Sequence, residues 1–196
     1  MGTTQTRCQL TCHCSGPKIA AHLPKYCNAM STTATNKDQH QATVKTLVDM
    51  LDGRHAHATL DDAVHDLPAH LRGEIPNDLP YSLWQLLEHI RITQWDILEF
   101  SKNPQHVSPA WPEGYWPKDP QPPDTHAWDN SLKAIKADLK AFIALLEAKD
   151  ADLYTPFAHG DGQNLLREAI LIIDHTSYHV GEMIVLRRLL GAWKSE

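Results

Sequence analysis

From Asn36 onward, apolar residues recur at helical spacing, and no run alternates strictly enough to read as a strand. Val44, Leu47, Val48 and Leu51 mark a first helix that Gly53 should end. Thr59 and Asp62 resemble an N-cap pair opening a short piece that runs to Leu67, after which Pro68, Gly73, Pro76 and Pro80 break the pattern. Ser82 with Gln85 three residues on forms a capping-box signature, and Leu83, Leu86, Leu87, Ile90, Ile97 and Leu98 then trace a stripe to about Ser101. A third long helix is expected from about Asp129 to Ala148, on Leu132, Ile135, Leu139, Ile143 and Leu146. The last begins near Asn164 and reaches Leu190, where Gly191 is a natural stop. At ~1.5 Å per residue it is ~40 Å long and needs neighbours of similar length. Four such helices, each with one apolar face, predict an all-α four-helix bundle.

Between the second and third long helices, residues 103–124 hold seven of the thirteen prolines together with Trp111, Tyr115 and Trp116. Proline at that density excludes regular structure, and the aromatics say that the loop packs on something. It either covers a site or is pinned over an end of the core. Trp84 and Trp95 read as packing residues.

The last helix carries HTSYHVGE, which places His175 and His179 four residues apart on one face. At about 100° per residue that face also holds Leu165, Ile172, Met183, Leu186 and Leu190, with Glu168 and Glu182 on the same stripe. Two imidazoles in an apolar seam need partners, and either a divalent cation or neighbouring helices can supply them. A third ligand must come from another helix. His89 in LWQLLEHIRITQWDILEF is the best placed, beside the apolar stripe and flanked on its own side by Gln85, Thr93 and Asp96. Three neutral imidazoles leave coordination positions open, as a catalytic metal site requires.

Other chemistries fit less well. A zincin needs Glu directly after the first His of H-E-x-x-H, and here that position is Thr176, with the second His one residue too far along. A di-iron site needs E-x-x-H pairs, and no acid stands three residues before His175 or His179. Thiol nucleophilic catalysis has little support, because all four cysteines (Cys8, Cys12, Cys14 and Cys27) precede Met30.

At 196 residues the chain suits one domain with a sizeable core. A net charge of −6 and the lack of a basic stripe with interleaved aromatics argue against a nucleic-acid partner. No apolar run approaches the ~18 residues of a membrane span, so a soluble cytoplasmic protein is expected, with no membrane partner. Residues 1–29 differ from the rest: Arg7, Lys18 and Lys25 stand there without an acid. A zinc knuckle from Cys8, Cys12, His13, Cys14 and Cys27 lacks the paired C-x2-C spacing, and a targeting peptide lacks a secretory apolar core. The favoured reading is a disordered extension, with the domain proper at 30–196.

LLEHI in the second long helix and HTSYHVGEMIVLRRLLG in the last, about 85 residues apart, resemble the DinB-like superfamily of four-helix bundles, which includes YfiT-like metal-dependent hydrolases and thiol S-transferases. The resemblance covers roughly residues 36–193. It implies one divalent transition metal, nickel or zinc, held by His89, His175 and His179. It also implies action on a small-molecule substrate, by hydrolysis or by transfer involving a low-molecular-weight thiol, and a homodimer. Glu182 and Glu168 then become candidates to orient ligand rings or to act on water, and Tyr178 to donate to a substrate. His55, His57 and His159 lie where they can reach the open side, although histidines in turns are more often merely solvated. The alternative is a non-catalytic bundle that holds a metal or a small ligand.

Overall fold

The computed structural model describes residues 35–54 and 56–193, so the readings made on residues 1–29 and on His55 lie outside the described residues. These residues are helical, without a strand among them. Helix α1 spans Asn36–Leu51, α2 Leu60–Val64, α3 Leu83–Lys102, α4 Ala127–Leu146 and α5 Leu165–Leu189. Short 3-10 turns stand at Ala69–Leu71, Pro76–Asp78 and Glu113–Tyr115.

Local chemistry sets most of the boundaries. Thr35, Thr59 and Ser82 each accept from the backbone N–H three residues on, and Asp38, Asp62 and Gln85 reach back in reciprocal capping boxes. Asn164 caps α5 by accepting from the Arg167 N–H. Gly53, just beyond α1, has φ +78°, and a Cβ there would come within 2.8 Å of the Thr59 Cγ2, so the turn admits glycine on both conformational and steric grounds. Gly191 follows α5 at φ +68°.

Packing orders the long helices. α3 lies against α4 and α5, and α1 lies against the same two helices, which puts α1 and α3 on a diagonal. The chain from α1 to α3 must therefore cross the bundle, and α2 makes that crossing on the flank of α5. Buried Arg187 holds it there, donating to the main-chain oxygens of Ala63 (2.8 Å), Asp62 (3.3 Å) and Ala192 (2.7 Å).

The apolar interior falls into two clusters. One gathers Leu83, Leu87 and Ile90 of α3 with Trp128 of α4 and Met183 and Leu186 of α5. The other joins Leu47 of α1, Ile97 and Leu98 of α3, Phe142 of α4, and Ala169 and Ile172 of α5. Along α3 the clusters part between Ile90 and Ile97, and along α5 between Ile172 and Val180. His175 and His179 lie in the gap of α5, and His89 stands at the edge of the gap of α3.

The proline-rich loop closes on one face of α3. The Ser82 hydroxyl donates to the Pro120 carbonyl (2.6 Å), and the Gln85 amide donates to that of Pro117 (2.9 Å). Asp96 accepts from the Tyr115 hydroxyl (2.6 Å) and from His106 Nε2 (2.7 Å). Positions 82, 85, 89 and 96 follow helical spacing, so one stripe of α3 both grips the loop and carries His89. Trp84 is buried in the core, and Trp95 meets His106 edge to face.

Candidate metal centre

His89, His175 and His179 come together across the α3–α5 seam. Their ring centroids are 4.8, 4.7 and 4.5 Å apart, a nearly equilateral triangle of rings inclined to one another by 60–89°. One nitrogen from each lies within 4.8 Å of the others, so the three can hold a metal ion. His89 and His179 are buried and His175 half-buried.

Hydrogen bonds fix two of the tautomers. His89 Nδ1 is 3.0 Å from the Tyr115 carbonyl oxygen, which only accepts, so the ring carries its hydrogen on Nδ1 and leaves Nε2 bare. His179 Nδ1 is 2.7 Å from Glu182 Oε2, with the same result. A carbonyl or carboxylate on the far nitrogen is the usual support of a metal-ligating histidine. His175 Nε2 stands 3.0 Å from His89 Nε2. Two nitrogens each ~2.1 Å from one ion would be separated by ~3.0–3.4 Å, so this spacing suits a shared divalent cation.

The electrostatics agree with that donor set. Burial pulls the His89 pKa down from 6.5 to about 4, against the opposing pull of the Tyr115 carbonyl. Burial, followed by the proximity of His179 and His89, takes His175 down to about 3. Both rings are therefore uncharged at neutral pH, the form that binds metal.

Aromatic rings wall one side. Trp116 stacks on His89 at 3.7 Å and 9°, and Tyr81 stacks on Trp116 at 3.8 Å and 10°. The loop thus touches the site twice in succession, through the Tyr115 carbonyl and the Trp116 indole. Burial and the bond to Asp96 raise the Tyr115 phenol to about 12, so it remains a donor to that carboxylate.

Other residues singled out in the sequence are distributed differently. Tyr178 is 64% exposed, with its ring 4.9 Å from that of His179. Glu168 is buried but engages Arg167 Nη1 at 2.6 Å rather than an imidazole, and burial raises its carboxyl pKa. His159 Nε2 donates to the Phe100 carbonyl (2.8 Å), and its ring packs against Phe100 and Phe157, beside the cluster that holds Phe142 and Ile172. As an oxygen that only accepts, that carbonyl makes the His159 Nε2–H the donor. His57 is exposed, next to the Ala58 carbonyl. Thr93, expected in the polar margin of His89, has a buried hydroxyl with no hydrogen-bond partner. The Tyr115 carbonyl, the Trp116 stack and the Asp96–His106 pair had no individual assignment in the sequence, where the hints were the loop's aromatics and the polar stripe Gln85, Thr93 and Asp96.

Comparison with curated proteins and with solved structures gave no match. A family model described as DinB superfamily matches residues 37–183, which takes in all three histidines and most of the chain. The chain belongs to the DinB superfamily.

Proposed function

We propose that the protein holds one divalent transition metal ion, nickel or zinc, through His89, His175 and His179, and acts on a small molecule by hydrolysis or by transfer of a low-molecular-weight thiol. The observation that carries this reading is the convergence of three imidazoles, two of them with Nε2 bared by acceptors on Nδ1. Bound there, the ion would supply Lewis acidity and lower the pKa of a water or thiol brought to it.

The chain's own residues supply orientation and shielding. Tyr115 and Glu182 hold two rings in one tautomer and one direction, as ligand preorganisation requires. Trp116, backed by Tyr81, covers one face of His89 and keeps water from it. Glu182 binds the Nδ1 edge of His179, opposite the Nε2 that would face the ion, so its part is to orient that ligand. To the exposed phenol of Tyr178, its ring 4.9 Å from that of His179, we assign donation to a substrate.

Elemental analysis of protein purified without a His tag tests the centre. Close to one nickel or zinc per chain is expected, falling sharply in each of His89→Ala, His175→Ala and His179→Ala. Full occupancy in the His179→Ala protein would overturn the site. Consumption of a small electrophile that requires added thiol would mark transfer, and thiol-independent ester cleavage would mark hydrolysis. Tight metal binding with neither activity would leave the non-catalytic binding role.

A further inference from the structure

Beside the part of α5 that carries Ile172, Ile173, Thr176 and Ser177, the bundle contains a cavity of about 330 Å3. None of His89, His175 and His179 lines it. Its apolar walls come from Leu51 of α1, Leu60 of α2, Ile135 and Leu139 of α4, and Ile172 and Ile173 of α5, and the half-buried Thr59, Thr176 and Ser177 line it as well. Such a space lies at the lower end of the ~300–1,000 Å3 typical of small-molecule pockets. At ~30 Å3 per atom, the share of one water in the liquid, it admits about ten non-hydrogen atoms.

One buried polar group faces this space. Gln94 of α3 is only 4% exposed and lines the cavity. Its Nε2 donates to the Ile135 carbonyl at 2.6 Å, which fixes the amide and leaves Oε1 as the free end. Oε1 receives no hydrogen bond from the described residues, yet it is not sealed off among the buried unpartnered atoms, so it opens into the cavity. A carbonyl oxygen held in place within aliphatic walls calls for a donor. The charged side chains that line it, Asp52, Asp61 and Lys136, are exposed to solvent, and Lys136 pairs with Asp61 at 2.9 Å, so a neutral ligand leaves that pair undisturbed.

We infer that this cavity binds a small neutral amphipathic molecule, an alcohol or amide with a compact hydrocarbon body, whose O–H or N–H donates to Gln94 Oε1. The site is independent of the metal reading, and occupancy is expected in metal-loaded and metal-free protein alike.

Benzyl alcohol and toluene serve as probes, titrated into the full chain with labelled isoleucine and leucine methyls and followed by NMR. Saturable shifts at Ile135, Ile172 and Ile173 are expected, with intermolecular NOEs from the probe to Leu139, and the alcohol should bind about tenfold more tightly than toluene. Gln94→Met keeps the side-chain length, removes the acceptor and should erase the preference for the alcohol. Leu139→Trp fills the space and should block both probes while metal content stays unchanged. NOEs to residues outside the cavity, no saturable shift, or an equal preference in the Gln94→Met protein would each overturn the inference. Because the NOEs are read on the unmutated chain, the result stands even if a variant folds poorly.

Discussion

Two imidazole nitrogens of the candidate metal centre are committed to acceptors that cannot donate back, and the residue-scale consequences follow from that. Glu182 aims His179 and fixes its tautomer, so Glu182→Ala should weaken metal binding by about 10–100-fold while the three ligands remain. Chelator competition measures this, and wild-type affinity in the variant would count against the orienting role. Acid should act on the metal-free protein through His89 and His175. Both have an ordinary pKa of 6.5 and fall to about 4 and about 3 in the fold. Between those values the unfolded chain binds more protons than the folded one, so their stabilisation is complete above pH 6.5 and is lost as pH falls through 4 and then 3. Urea midpoints measured from pH 7 to pH 3.5 should decline, and less steeply in His175→Ala. Equal slopes for the two proteins would remove these rings as the cause.

At the scale of elements, the proline-rich loop is held by α3 and in return holds His89. Ser82→Ala removes both the cap of α3 and the grip on Pro120, and should cost about 1–2 kcal/mol by chemical denaturation. Asp96→Asn keeps the side-chain shape but weakens the bonds to Tyr115 and His106, and should lower metal affinity by less than Glu182→Ala does, because it acts through the Tyr115 carbonyl. Isothermal titration with zinc compares the two. Signals that act within three or four residues were legible in the sequence: the Thr59 and Ser82 boxes, the stop at Gly53, the start near Asn164, and the His175–His179 pair. The loop's attachments were not, because Ser82, Gln85 and His89 reach main-chain oxygens 38, 32 and 26 residues away, and a carbonyl has no side-chain signature. Glu168 shows a different limit. It shares an angular stripe with His175 but lies two turns along the axis, ~10 Å by helical rise, and a wheel projection hides that separation.

For the whole molecule, the two apolar clusters meet at a polar waist, and an ion held there would tie α3 to α5. A ligand present at a thousand times its Kd adds about 4 kcal/mol of stability. For a domain of this size that is a rise on the order of 10 °C in Tm, which a calorimetric scan with and without zinc can read. Loss of the shift in His175→Ala is the matching expectation. α5 also presents Ile170, Tyr178, Val185 and Leu189, each between 48 and 64% exposed, on one outward face. No helix among the described residues is long and apolar enough to cross a membrane.

The 3.0 Å approach of His175 Nε2 to His89 Nε2 also governs how fast the site can load. With the His89 hydrogen on Nδ1, its Nε2 offers a lone pair, and only a hydrogen on His175 Nε2 makes the contact attractive. That hydrogen occupies the place an arriving ion needs, and His175 must exchange it for one on Nδ1 before all three rings can coordinate. On the proposed metal reading, uptake would contain a proton-relocation step that water or a buffer base can catalyse. Stopped-flow loading at fixed pH and ionic strength should accelerate with buffer concentration, while equilibrium affinity, corrected for metal bound by the buffer, stays unchanged.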